Sequence, residues 1–319
     1  MWEMNELSDV KGVKVGHAEL EGVLTGCTVV LVEEGATCGV FVSGGAPGAR
    51  ETNLLEPENL VEKVHAIYIG GGSAFGLEGA TGVMQFLEER NIGFDTGVKK
   101  VPIVPGAIIF DLALSNGKYP TKEIGYKACL KAVYSGIGRG NVGAGIGATI
   151  GKARGMDFAM KGGIGTSSVR SRNLVVSALV VVNAFGDVID TKTNRIIAGA
   201  LDNRKNGFVN TEELIIQGNT SEAPFNNTTI GVVATNGKLS KAMAKRVSIM
   251  AQDGIARAVR PSHTLFDGDT VFTLSTNEIK EDVSKIGVMA ARAVELAIID
   301  AVKSAKSVGT ILSSNDIIF

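Results

Sequence analysis

The chain has 319 residues, 45% hydrophobic and 20% charged, enough to bury a large core, and no stretch reads as disordered by composition. With 32 basic against 33 acidic side chains and 5% aromatics, it lacks the basic footprint and stacking platform of a nucleic-acid binder. No apolar run reaches the roughly 18 residues that span a bilayer, and residues 1–6 lack the basic and apolar regions of a secretion signal, so a soluble cytoplasmic protein is expected.

Cys27, Cys38 and Cys129 form no CxxC pair and sit among apolar or small residues, as buried free thiols do in a reducing compartment. No zinc site or other metal site is suggested. Length alone favours two domains, but no linker or charge run separates them. A single domain over 1–319 is expected.

Residues 12–45 read as short strands at 13–15, 27–32 and 38–42 joined by glycine turns. The loop Gly44-Gly45-Ala46-Pro47-Gly48 with Arg50-Glu51-Thr52 is either a turn or the wall of a site. A strand at 64–69 leads through Gly70-Gly71-Gly72 to a helix over 74–90, with Ser73 as its N-cap and Gly93 past its end. The prolines in 101–105 argue against a central strand there.

A helical pattern over 119–133 runs into a glycine-rich segment from Gly138 to Lys152. Gly138, Gly140 and Gly143 spell GxGxxG, but a helix precedes the motif where a dinucleotide fingerprint needs a strand. A Walker A reading fails too, because Ile146 stands at its first glycine and Ala153 follows Lys152 where Ser or Thr is required. A backbone that passes very close to something is the better interpretation. Lys152 at its end is either a charged site residue or a solvated surface lysine.

Residues 174–182 form an almost unbroken apolar run, the pattern of a strand buried on both faces. Asn183 at its end must find hydrogen-bond partners, an oxyanion or a turn. Residues 191–227 are polar and weakly periodic, the expected place for an exposed loop with a cleavable junction.

The stretch that organises the rest is Phe225-Asn226-Asn227-Thr228-Thr229-Ile230-Gly231. Composition alone makes it a polar turn entering a buried strand at 229–235. The sharper reading is a self-cleaved bond between Asn227 and Thr228. Cleavage would give Thr228 an α-amine, whose ordinary pKa of about 7.7–8.0 lets it take the proton of its own hydroxyl near neutrality.

Helices are expected at 240–259, with Met243, Val247, Met250 and Ile255 inward, and at 283–305. Between them, Asp267-Gly268-Asp269 puts two carboxylates on one turn, close enough to shift each other's pKa; it is also ordinary turn composition. His17, His65 and His263 form no metal motif. His263 is the best placed of them for a Ser-His-Asp triad, but no GxSxG elbow accompanies it.

Taken together, these motifs resemble the self-processing DmpA family: L-aminopeptidase/D-esterases, β-peptidyl aminopeptidases and the nylon-oligomer endoamidase. The similarity runs over about residues 12–276. It is carried by Gly12-Val13-Lys14-Val15-Gly16-His17, the Gly44–Thr52 loop, Gly71-Gly72-Ser73-Ala74-Phe75-Gly76-Leu77, Val101-Pro102-Ile103-Val104-Pro105, Gly140-Asn141-Val142-Gly143-Ala144-Gly145, Asn227-Thr228-Thr229-Ile230-Gly231 and Asp267-Gly268-Asp269.

The resemblance implies an αββα sandwich, two stacked sheets between helical layers, akin to N-terminal-nucleophile hydrolases but wired differently. It implies autocleavage into an α chain of 1–227 and a β chain of 228–319. Thr228 matches the nucleophile, Asp267 and Asp269 the paired acids of the endoamidase branch, Lys152 a catalytic lysine and Asn183 an oxyanion-stabilising asparagine. Phe110 stands where some relatives carry a tyrosine hydroxyl. A small peptide or amide substrate, no cofactor, and a homo-oligomer of αβ units, with a tetramer favoured, complete the expectation. The alternative is a non-enzymatic small-molecule or nucleotide binder built on the Gly138–Gly151 loop.

Overall fold

The computed structural model describes residues 6–221 and 227–317. Its frame is a hydrogen-bonded sheet of nine strands: β1 (Lys14–Glu19), β2 (Gly26–Val42), β3 (Ala49–Arg50), β4 (Lys63–Gly70), β5 (Gly106–Ile108), β6 (Gly163–Ser171), β7 (Leu174–Asn183), β8 (Thr228–Gly237) and β9 (Thr270–Ile279). Their order is β6-β7-β8-β9-β2-β4-β5-β3, with β1 also on β2. The helices are α1 (Gly79–Glu88), α2 (Lys122–Leu130), α3 (Thr211–Ile216), α4 (Lys241–Ala258) and α5 (Val283–Ser304).

Strand β2 turns this ladder into two layers. Its first half pairs with β1 and β4 and its second half with β9. The register with β4 shifts between Leu31 and Ala36, where the polar Glu33-Glu34-Gly35 interrupts the apolar run. The two strands expected at 27–32 and 38–42 are therefore one. A register irregularity lets one strand serve both layers.

Side-chain alternation fills the space between the layers. In β7, Val176, Ala178, Val180 and Val182 join the core beneath α4 and α5, while Leu179 and Val181 join a central core. In β4, Ala66 and Tyr68 belong to the core with α1 and α2, and Ile67 and Ile69 to the central one. Each valine, leucine or isoleucine buried this way contributes roughly 1.5–3 kcal/mol. The layers thus read helix, sheet, sheet, helix, the expected αββα sandwich, with the two sheets joined through β2 rather than separate.

The long helices carry the expected caps. The Ser240 hydroxyl accepts the Met243 N–H at 3.3 Å and the Asp282 carboxylate accepts the Lys285 N–H at 2.9 Å. On α4 the inward stripe is Ala244, Val247, Ala251, Ile255 and Ala258, all fully buried. Met243 lies one residue, about 100°, off that stripe and is exposed, contrary to expectation.

Other expectations are also corrected. Ser73 does not cap a helix: residues Ser73–Glu78 form a 3₁₀ turn with Gly72 at its cap, and α1 begins only at Gly79. The Tyr68 hydroxyl holds the Gly76 carbonyl at 2.7 Å. The 119–133 helix shortens to α2. The 191–227 segment is not simply an exposed loop. It contains a strand, Arg195–Ala198, and α3 capped by Asn210, both tied to the buried Asp187, which accepts from the Ala200 N–H at 2.9 Å and the Thr211 N–H at 2.7 Å.

The three cysteines are free and buried, as expected. Among the described residues, no helix is long and apolar enough to cross a membrane.

Candidate active site

Strand β8 begins at Thr228, in the middle of the sheet. It runs antiparallel to β7, with Thr228 opposite Asn183, and parallel to β9. An isolated bridge between Asn227 and Asp267 carries the same parallel register three residues further back. Thus Asn227, Thr228, Asn183 and the Asp267-Gly268-Asp269 turn converge because three neighbouring strands end or begin together. Phe225 and Asn226 lie outside the described residues.

Asn227 and Thr228 are buried, with 3% and 5% of their surface exposed. The junction is therefore not on an open loop. The Thr228 hydroxyl donates to the Asn227 carbonyl oxygen, and the Gly268 N–H donates to that same oxygen at 3.0 Å. A Cβ at Gly268 would stand 2.9 Å from Thr228 Oγ1 and 2.9 Å from the Ala46 carbonyl, so only glycine brings the turn this close without displacement. The Gly44–Gly48 loop is accordingly part of the wall: the Ala46 N–H donates to the Asp267 carbonyl at 2.8 Å.

Lys152 is buried, not the solvated lysine that composition allowed. Its ammonium donates to the Asn183 carbonyl at 2.9 Å, the Asn183 carboxamide oxygen at 3.1 Å and the Asn227 carboxamide oxygen at 3.1 Å. Burial pushes its pKa down to about 7, with the Asp267 charge opposing and Lys161 assisting that fall. Asn183 Oδ1 also accepts from the Thr149 N–H at 2.9 Å, and its Nδ2 donates to the Phe110 carbonyl at 3.3 Å. Asn183 thus holds Lys152 from two sides, and the backbone amide on the Asn227 carbonyl is that of Gly268.

The two aspartates differ in their surroundings. Asp267 accepts from Thr264, through N–H at 3.0 Å and hydroxyl at 2.6 Å, and from the Phe185 N–H at 3.5 Å. Burial, together with the neighbouring Asp269 charge, raises its pKa. Asp269 accepts from the Thr229 N–H at 2.6 Å on one oxygen, and on the other from His263, through N–H at 3.0 Å and Nδ1 at 2.8 Å. Sequence reading did not assign Thr264 or the Gly268 amide to the site and linked His263 only to a Ser-His-Asp triad; here its ring meets Asp269. The signal was local: a hydroxyl residue three positions before one aspartate and a histidine six before the other.

The Gly138–Gly151 loop is filled from within. A Cβ at Gly140 would fall 2.2 Å from the Ser304 carbonyl, and the Gly145 and Ala148 carbonyls face the buried Lys161 ammonium at 3.0 and 2.8 Å. Carbonyls turned onto a protein cation give no phosphate cradle, so the nucleotide-binding alternative is without support.

The fold has relatives of known structure. It matches a Burkholderia sp. beta-aminopeptidase with a TM-score of 0.72 at 21% identity, and the L-aminopeptidase D-Ala-esterase/amidase of Ochrobactrum anthropi with 0.71 at 20%. Both matches cover 97% of this chain and 90% of the other. The second is described as a variant of the Ntn-hydrolase fold, and that is the structural class of this chain.

Sequence relatives carry the assignment further. An uncharacterized aminopeptidase of Mycobacterium leprae is 43% identical over 87% of this chain and 80% of its own length. A 6-aminohexanoate-oligomer endohydrolase of Kocuria sp. is 32% identical over 85% of this chain and 75% of its own. The chain belongs to peptidase family S58, whose profile matches residues 5–314, and it is a hydrolase of peptide or amide bonds.

Proposed function

We propose that the protein cuts its own Asn227–Thr228 bond and then uses Thr228, as an N-terminal nucleophile, to hydrolyse the amide bonds of small peptides or amide oligomers. The observation that carries this reading is the Asn227 carbonyl, buried and approached by the Thr228 hydroxyl while the Gly268 N–H already holds its oxygen. In the first reaction Thr228 Oγ bonds to the Asn227 carbonyl carbon and the carbonyl oxygen becomes an oxyanion on the Gly268 amide. Collapse breaks the C–N bond, leaving an ester on Oγ and an amine on Thr228. Water then cleaves the ester, releasing the Asn227 carboxylate.

Lys152, with its pKa near 7, accepts the hydroxyl proton and returns one to the departing nitrogen. In the second reaction the Thr228 amine assists its own hydroxyl, and the substrate carbonyl takes the place of Asn227. A single oxyanion donor is typically worth about 2.7–4 kcal/mol of transition-state stabilisation.

The test is intact mass analysis and denaturing electrophoresis of purified protein. Two fragments, 1–227 and 228–319, with threonine first on the smaller, are expected. A preparation that hydrolyses amides yet contains no chain starting at Thr228 would overturn the proposal. The substrate class follows two groups of relatives, named aminopeptidases and 6-aminohexanoate-oligomer endohydrolases.

A further inference from the structure

We infer that His263 is a positioning residue of this site: its imidazole fixes the Asp269 carboxylate, and through it the backbone N–H next to the nucleophile. The inference rests on Thr228 being that nucleophile. Asp269 is a two-sided clamp. One oxygen accepts the Thr229 N–H at 2.6 Å, and the other accepts both the His263 backbone N–H at 3.0 Å and Nδ1 at 2.8 Å. Imidazole, carboxylate and backbone amide therefore form a continuous line that ends one residue from Thr228 Oγ.

The backbone is shaped for this contact. His263 has a φ of 59°, in the left-handed region that few residues other than glycine, Asn, Asp and His occupy. In that conformation its N–H and its ring reach the same oxygen. A residue held there at a cost in backbone energy, next to a reacting centre, is the pattern of stored local strain at functional sites.

The groups facing the ring are Asp269 and Asp267 on the turn and the backbone of Gln252 on α4. Burial disfavours the charged ring, but the hydrogen bond and charge of Asp269, with Asp267 and the Gln252 backbone, outweigh it and lift the pKa above 6.5. The other two histidines move the opposite way: burial drives His17 to about 4 and lowers His65. With only three histidines in the chain, one imidazole titrating above 6.5 is unambiguous. As pH rises through that value the ring loses its charge and the clamp loses its ion pair, so turnover falls on the alkaline side.

The experiment compares His263→Asn and His263→Ala with the parent, using alanine p-nitroanilide as substrate and histidine NMR titrations. Asn tolerates the left-handed backbone and retains a donor toward Asp269 but has no proton to lose. It should keep kcat within about threefold and abolish the alkaline limb that tracks the His263 titration. Ala should lower kcat about tenfold, the size of one charge-assisted hydrogen bond, with KM little changed.

Before each assay, mass analysis fixes the fraction of chains that begin at Thr228, and rates are normalised to it. An alanine variant with parental kcat and pH profile, or a His263 titration below 6.5, would overturn the role of His263 while leaving Thr228 in place. Activity without any chain starting at Thr228 would instead remove the reading beneath it. If His263→Ala fails to fold, the asparagine variant and the NMR titration of the parent decide the matter.

Discussion

Among the described residues, two buried lysine and aspartate pairs stand out, and one of them adjoins the Asn227–Thr228 bond. Lys152 faces Asp267 and Lys161 faces Asp111, and burial pushes both ammonium groups down to about 7. Burial also raises both carboxyls, Asp111 to about 6. Electrostatically the two are near twins.

Their hydrogen bonds separate them. Lys161 gives its three protons to the Gly145, Ala148 and Gly162 carbonyls at 3.0, 2.8 and 2.9 Å, a closed set of backbone acceptors. Lys152 spends two of its bonds on side chains, and one of these belongs to the junction residue Asn227. Perturbed ionisation therefore reports desolvation in both places. Chemistry requires, in addition, a nucleophile and a partner that the reaction removes.

The largest effect comes from erasing that difference. Thr228→Ala keeps both lysine pairs but takes away the hydroxyl, and both fragmentation on denaturing gels and amide hydrolysis should disappear. Surviving hydrolysis would move the nucleophile elsewhere.

The next contrast exchanges the lysines one at a time. Lys152→Met should slow self-cleavage by about 10²–10⁴, the usual worth of a general base, in a chain whose circular dichroism is unchanged. Lys161→Met should do the reverse. Its three carbonyls lose their donor, each at about 1–3 kcal/mol, so urea unfolding should shift strongly while molecules that do fold still cleave. Equal cleavage rates in the two variants would abolish the distinction.

The smallest effect is on stability against pH. Folded, each lysine gives up its proton near 7; unfolded, each keeps it to 10.5. Between those values the unfolded chain binds more protons, so stability rises with pH, by at most ~1.4 kcal/mol per pH unit for each lysine. The window to read is pH 7.5–8.5, below the ordinary thiol value of 9.0, with His263→Asn added because that histidine, raised above 6.5, opposes the rise; above 9.0 the buried cysteines, whose pKa values burial raises, impose the opposite slope. Urea titrations in the uncut Thr228→Ala background should show the rise, and adding Lys161→Met should flatten it by about half. An unchanged slope would mean that Lys161 stays protonated through that range.

Much of the frame was legible in the sequence. The unbroken run of β7 and the 3.6-residue stripes of α4 and α5 identify themselves, because burial on both faces or on one leaves a periodic trace. The layer crossing in β2 did not, since Glu33-Glu34-Gly35 looks like a turn until its neighbours are known. Lys152 and Lys161 are single residues whose burial depends on contacts far along the chain, such as Asn183 and Asn227, and no local pattern encodes that. Thr228 and the Asp267 and Asp269 pair were legible only as parts of a recognised set of motifs. His263 stood in plain view six residues from Asp269, but the left-handed backbone that folds one onto the other leaves no periodic trace.

The place of β8 in the sheet has a further consequence. A break before Thr228 would put β8, β9, α4 and α5 on one polypeptide and β1 to β7 on the other, yet β8 and β9 lie between β7 and β2. The smaller product is thus wedged into the centre of the larger, and withdrawing it would mean unzipping the ladders on both flanks. The severed protein should migrate, sediment and melt as one particle, and its halves should part only when the whole sheet comes down.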